Sequence, residues 1–272
     1  MAPTKRTDAE IEAGWRSFLE LGEFKSEVRQ RRLFRHLPSE PRCKFCNAPF
    51  HGPGGVLCRA LLNKGQSNMN PRMCNICERF ASANLGGAEI ELSMLFADVR
   101  GSTTLAEQMG NADFSRLISR FYRVSTDVMV HSDALVDKLI GDEVTALYVP
   151  GFAGPDHARI AIEAAKELLT ATGHTDSNGP WVPVGAGVHT GEAFVGAVGS
   201  EQGLTDITTL GDAPNTAARL AGSAATGEIV VSDDAAQAAN LDISDLEARS
   251  LELKGKSNPV AVHVIKVQSE TH

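Results

Sequence analysis

No apolar run in this 272-residue chain approaches the roughly 18 residues that span a bilayer, and the opening "MAPTKRTDAEIEAGW" lacks the apolar stretch of a secretory leader. The expectation is a cytoplasmic protein with no membrane partner. Internal repeats and low-complexity tracts are also absent, which excludes solenoid and fibrous designs. Cysteine is missing everywhere except between Cys43 and Cys77, a stretch that holds all five. In a reducing compartment such a cluster reads as metal ligands before it reads as a disulfide framework. With 42% hydrophobic and 22% charged residues, the chain can build a globular core without covalent staples.

Charge is spread unevenly. Residues 1–80 carry 14 Lys/Arg against 8 Asp/Glu, a balance of +6, whereas 81–272 carry 12 against 26, a balance of −14. The two parts are electrostatically different objects, which sets a boundary near 80–90 and hints at an anionic partner for the first. The basic run "RQRRLFRH" (Arg29 to His36) reads more simply as the solvated face of a helix. Few aromatics interleave with Lys and Arg here, so nucleic acid is not the expected partner.

Residues 8–37 place Ile11, Trp15, Phe18, Leu19, Val28, Leu33, Phe34 and Leu37 on a mostly helical stripe, broken near Gly22 and closed by Pro38 and Pro41. That stripe must bury against the Cys-rich module, the larger domain or a second copy, and the pattern alone does not choose. The expected organisation is a helical segment at 1–41, a Cys-rich module at 42–80, a linker at 81–89 and a larger domain at 90–268. The module reads as two knuckle-like turns with little core, and Gly86-Gly87 reads as the most flexible point of the linker. Beyond Ile90, strands are expected at 90–98, 134–139, 143–149, 181–189, 192–199 and 204–210, the fourth and fifth flanking "HTGE". Helices are expected at 102–131, 155–172 and 213–222. Strands joined as hairpins and mixed with helices define an α+β sandwich, its largely antiparallel sheet covered by helices.

Three stretches carry chemistry. In "LSMLFADVRGSTTL" an apolar strand ends on Asp98, and "VRGSTT" opens a helix whose first N–H groups, with Gly101 allowing close approach, can cradle phosphate oxygens. Alone, this reads first as a capped helix after a solvated acid. "DKLIGDEV" adds a tight hairpin with Asp142 at its tip. If its strands neighbour the first, two carboxylates converge beside the cradle, the arrangement that Mg²⁺ uses when it binds carboxylates, substrate phosphates and water. Such a pair could hold two ions and serve an in-line phosphoryl displacement. In "TDITTLGDAPNTAARLA" a strand leads into a helix on which Asn215 and Arg219 stand four apart on one face, with Pro214 near the helix start. A guanidinium and a carboxamide projecting together suit charge developing on phosphate.

Together, "FADVRGST", "KLIGDEV", "GVHTGEAFVGAVGS", "LGDAPNTAARL" and "LELKGK" closely resemble the catalytic domain of class III nucleotidyl cyclases, the adenylate and guanylate cyclases, over about residues 88–267. The resemblance implies a ferredoxin-like, palm-type sandwich. It gives Asp98 and Asp142 the two catalytic ions, Mg²⁺ or Mn²⁺, and Lys138 and Thr208 the reading of the base. Asn215 would orient the ribose, Arg219 would stabilise the transition-state phosphate, and Lys254 would hold the terminal phosphates. Val99, Gly101, Ser102 and Thr103 would form the rest of the triphosphate seat. Lys plus Thr favours ATP over GTP, because an ammonium can donate to the ring nitrogen of adenine but would face a protonated nitrogen in guanine. In the family the metal aspartates come from one subunit and the base-reading and transition-state residues from the other, which implies a head-to-tail homodimer and an inactive monomer. The implied reaction is adenylate cyclase chemistry, ATP to 3',5'-cyclic AMP and pyrophosphate. A guanylate or mixed-specificity cyclase, or a non-enzymatic nucleotide-sensing partner, is the alternative. Gly185 departs from the family, standing where many members have a basic residue.

"CKFC" and "CNIC", separated by 27 residues, supply Cys43, Cys46, Cys74 and Cys77. Two CxxC knuckles complete a tetrahedral Cys₄ set, for which a structural Zn²⁺ is the leading reading and an iron-sulfur cluster the rival. Cys58 and His51 are left over, read as a buried thiol and a surface imidazole. The module is expected to support or regulate the dimer through a protein, redox or metal input.

Overall fold

The structure is a computed structural model that describes residues 6–23, 25–37, 40–200, 203–252 and 259–268. The chain divides into two compact units. The first comprises Met1–Ile90, Val149–Phe152 and Glu192–Leu210; the second comprises Glu91–Tyr148, Ala153–Gly191 and Gly211–His272. No helix among the described residues is long and apolar enough to cross a membrane.

The second unit is a sheet flanked by helices. Its elements are β1 (Gly86–Val99, entering at Glu91), α5 (Ser102–Met109), α6 (Asn111–His131), β2 (Leu135–Ile140) and β3 (Glu143–Tyr148). They continue with α8 (His157–Ala171), β4 (Val184–Gly199, as far as Gly191), α9 (Asp212–Ser223), β6 (Glu228–Ser232), α10 (Asp233–Ala238), β7 (Glu247–Leu251) and β8 (Val260–Lys266). The strand order is β2-β3-β1-β4-β6-β8-β7. β3 runs antiparallel to both β1 and β2, β8 antiparallel to both β6 and β7, while β4 and β6 are parallel. Alternation along β6 sends Ile229 and Val231 into the main core with Phe121, Leu168 and Ala235, and Val230 to the opposite face with Leu220 and Val264. The α+β sandwich read from the sequence is thus the observed class.

Two expectations in this unit give way. The helix expected over 102–131 is two helices, because Gly110 at φ +76° breaks the run. Of these, α5 has no buried residue and no side-chain cap at its start. The strands expected on either side of "HTGE" are one 16-residue strand, β4. Gly191 invites a turn reading, but the backbone stays extended because each half of β4 has its own partner: Ala186–Val188 pair with β6 and Phe194–Gly199 pair with β5 (Thr205–Leu210).

The first unit holds α1 (Asp8–Arg16), α2 (Lys25–Phe34), α3 (Gly52–Leu62), α4 (Asn75–Ala83), β5, the short α7 that opens at Pro150, and the adjoining ends of β1 and β4. Thr7 and Glu10 form a capping box at α1, which continues as a π-helical turn, Ser17–Leu21, until Gly22 at φ +60° ends it. The N-terminal stripe packs on the Cys-rich module: Trp15 and Phe18 meet Phe45 and Phe80, and Phe18 also meets Phe152 at 5.3 Å between ring centroids. The module is more than two turns, since α3 lies between the knuckles and α4 starts from the second, with Cys74 as its N-cap. Gly86 and Gly87, expected as a flexible joint, open β1 instead. A Cβ on Gly87 would lie 2.3 Å from the Val195 carbonyl oxygen, so the glycines permit a close backbone approach to β4.

Candidate active site and metal centre

In the second unit β1 and β3 pair with Asp98 opposite Glu143, and the Val99 N–H donates to the Asp142 carbonyl at 3.1 Å. The two acids therefore converge, as the strand-and-hairpin argument expected. The Gly141 turn, at φ +63°, is pinned from α6 by the Tyr122 hydroxyl, which donates to the Gly141 carbonyl at 2.8 Å. Asp98 pairs with Arg100 through Oδ2, while its Oδ1 is buried with no hydrogen-bond partner among the described residues. Burial, and then the negative charge of Asp142 working against Arg100, push the Asp98 carboxyl up to about 6. Burial and the same two aspartates also raise Glu143. Carboxylates crowded with an orphaned buried oxygen fit a divalent cation, which would supply the missing partner and relieve the repulsion.

The turn after Asp98 opens α5 with Gly101 in the left-handed region at φ +66°. Ser102, Thr103, Gly141 and Asp142 line a cleft of about 450 Å³, a size suited to a small ligand. Val99 contributes no N–H to this cradle, because it is spent on Asp142; the Arg100 N–H is likewise donated to Pro183 at 2.8 Å. The Arg100 side chain is a brace: besides Asp98 it donates to the carbonyls of Gly222 at 3.1 Å and Ala224 at 3.4 Å, where α9 ends.

Lys138 lies on β2 beside a register shift that leaves Asp137 buried, 3.4 Å from the Lys138 ammonium, and its N–H donates to Thr145 Oγ1 at 3.0 Å. On α9, Asn215 is exposed and bonds only the Gly211 carbonyl, at 2.9 Å, while Arg219 is half-buried. Neither is hydrogen-bonded or ion-paired to Asp98 or Asp142 among the described residues. Lys254 lies outside the described residues.

In the first unit Cys43, Cys46, Cys74 and Cys77 are buried, with their sulfurs all within 4.8 Å of one another. Cys46 Sγ and Cys74 Sγ stand 3.8 Å apart, the edge of a tetrahedron with metal–sulfur bonds of about 2.3 Å. Backbone N–H groups of Cys74 and Cys77 point at Cys43 Sγ and Cys74 Sγ, at 3.2 and 3.4 Å. Cys58 is buried outside this set and His51 is exposed at the start of α3. Thr208 lies half-buried on β5, opposite Gly196 of β4. Sequence reasoning missed Tyr122, the bulge at Asp137, and the contacts of Lys44 with β5 described below.

The fold is that of a nucleotide-cyclase type of catalytic domain. The adenylate and guanylate cyclase catalytic domain family matches residues 88–267, more than half of the chain, and the protein belongs to that family. It is 28% identical over 189 residues to an adenylate cyclase of Anabaena cylindrica, covering 64% of this chain and 36% of that one. To an adenylate cyclase of Mycobacterium tuberculosis it is 29% identical over 167 residues, covering 61% and 37%. The chain thus spans little more than a third of the length of these curated relatives. Among solved structures, the guanylyl cyclase Cya2 aligns with a TM-score of 0.60 at 25% identity, over 68% of this chain and 97% of that one. The Pseudomonas aeruginosa adenylyl cyclase CyaB aligns with a TM-score of 0.56 at 22% identity, over 68% and 98%, a likeness of fold.

Proposed function

We propose that this protein is an adenylate cyclase, converting ATP to 3',5'-cyclic AMP and pyrophosphate at sites shared by two copies of the chain. The observation that carries this reading is the buried Asp98 Oδ1, without a partner among the described residues, beside Asp142, which lines the α5 cleft. With two Mg²⁺ or Mn²⁺ ions held there, the site would gain activation of the ribose 3'-hydroxyl and neutralisation of the α-phosphate and leaving group. The chain's own part is positioning. The first N–H groups of α5, at Ser102 and Thr103, take the triphosphate with Gly101 allowing close approach. Lys138 and Thr208 read the adenine edge, Asn215 orients the ribose, Arg219 meets the charge that builds on the α-phosphate, and Lys254 holds the terminal phosphates. A second copy is read as completing each site, Asn215 and Arg219 of one chain acting with the aspartate pair of the other.

The Cys₄ set is read as a structural Zn²⁺ site. Sulfurs this close fit one tetrahedral ion better than a cubane cluster, whose cysteine sulfurs must spread around four irons. Metal analysis with a visible spectrum decides, and a brown, iron-containing protein would overturn zinc.

The activity test is incubation of pure protein with ATP or GTP and Mg²⁺ or Mn²⁺. Cyclic AMP is expected, with GTP the poorer substrate; no cyclic product from either would refute the enzyme reading, and cyclic GMP as the main product would favour the guanylate alternative. For shared sites, Asp98→Ala and Arg219→Ala proteins, each inactive, should regain activity when mixed, because one hybrid site is intact. Failure to complement would count against the shared arrangement.

A further inference from the structure

We infer that the Cys₄ module clamps the strand that carries Thr208, making Lys44 and Asn70 positioning residues for base recognition; the inference rests on the reading of Thr208 as a base contact. Lys44 stands between the ligands Cys43 and Cys46, and its side chain is 3% exposed. Its ammonium reaches out of the knuckle to β5, donating to Asp206 Oδ1 at 3.0 Å, Asp206 Oδ2 at 3.2 Å and the Ile207 carbonyl at 2.7 Å. Three acceptors meet its three N–H groups, so a buried cation is fully used. Asn70 adds a second hold, its Nδ2 donating to the Thr205 carbonyl at 3.0 Å and Asp206 Oδ1 at 3.3 Å. Asn70 is itself fixed, accepting the Arg72 N–H at 3.0 Å, and the Arg72 carbonyl accepts the Lys44 N–H at 2.9 Å.

The geometry of a strand gives these contacts a direction. The carbonyls of Thr205 and Ile207, two apart, share one edge of β5, and the module takes both. Asp206 and Thr208, also two apart, project from one face, the half-buried one, while Thr205, Ile207 and Thr209 are buried on the other. The ammonium therefore grips the carboxylate that neighbours the Thr208 hydroxyl on the same face. An ion held by Cys43 and Cys46 would fix the knuckle backbone, and Lys44 would carry that constraint to the height and tilt of Thr208. Loss of the ion would free Lys44 and weaken the hold on the base without touching the aspartate pair.

The test uses the full chain. Lys44→Met keeps the aliphatic stem and removes the ammonium. At unchanged zinc content it should raise amide exchange at 205–210, increase the KM for ATP by about tenfold and reduce the ATP-over-GTP preference, while kcat falls by less than about twofold; Lys44→Arg should restore most of the loss. Unchanged exchange together with an unchanged KM and nucleotide preference would overturn the clamp. If Lys44→Met loses its zinc or its fold, Asp206→Asn, at a side chain 32% exposed, carries the same measurement. Thr208→Val separates the levels, since it should reduce the preference for ATP with exchange at 205–207 unaltered. If the wild-type protein forms no cyclic nucleotide, the cyclase reading and the base-positioning role fall together, whereas the exchange comparison still decides whether the module holds β5.

Discussion

Two carboxylates, one in each unit, are paired with cations in opposite ways. Asp206 meets Lys44 with both of its oxygens, and the ammonium has a carbonyl as its third acceptor. Asp98 meets Arg100 with one oxygen and leaves the other buried and without a partner among the described residues, and burial first, then the charge of Asp142, raises its carboxyl to about 6. The first pair holds β5 to the Cys-rich module. The second leaves one oxygen without a partner among the described residues, which fits the cation proposed for it. A carboxylate whose oxygens are both paired serves as a fastener, whereas a buried oxygen without a partner calls for an explanation, and a bound cation is one that fits here.

The sharpest way to break this contrast is to neutralise each acid. Asp98→Asn should reduce cyclic nucleotide formation by about a hundredfold to a thousandfold, yet leave the melting temperature unchanged or raised, because a crowded carboxylate is relieved. Asp206→Asn should do the reverse, costing stability and KM while sparing most of kcat. Matched activity losses in the two variants would erase the distinction.

Metal removal should divide the units next. Cys74→Ser, or a chelator strong enough to strip the Cys₄ set, should destabilise the first unit by more than about 3 kcal/mol, read by metal content and thermal unfolding. Withdrawing Mg²⁺ should abolish activity with little change in melting temperature. A smaller effect concerns pH. A proton competes with metal at Asp98, so Mn²⁺ affinity, followed by the electron spin resonance of free Mn²⁺, should hold above about pH 6 and weaken below it.

The smallest effect belongs to His157, whose Nδ1 is hydrogen-bonded to the buried Ser93 hydroxyl at 2.9 Å. Burial holds this imidazole below the usual 6.5, so the unfolded chain takes up a proton first. Its contribution to stability is therefore present above pH 6.5 and lost as pH falls below it. His157→Gln should flatten that part of the profile of melting temperature against pH.

The catalytic candidates were legible where chemistry follows from local chain. A strand ending on Asp98, a glycine turn carrying Asp142 and a helix with Asn215 and Arg219 four apart announce themselves within a few residues. The Cys₄ set was legible for the same reason, each knuckle being four residues long. What the sequence did not disclose depends on distant partners. Nothing near Arg100 says that it braces the end of α9, and nothing near Lys44 points to a strand more than 150 residues away. Gly191 looked like punctuation because glycine serves both turns and strands, and only the two partners of β4 decide between them. Val99 seemed part of the cradle until its N–H was found spent on the neighbouring hairpin.

Helix α5 has a consequence for observing the molecule at work. Eight residues long, with none fully buried, no side-chain cap and a positive-φ glycine at each end, it rests on the core through half-buried Leu105. A helix this short is marginal unless packing or a ligand supports it. Its amides should exchange far faster than those of the neighbouring β1, and a phosphate seated on its first turn would supply the absent cap. Segment 102–109 is then a gauge built into the chain, whose exchange rate reports occupancy of the cleft even when no chemistry takes place.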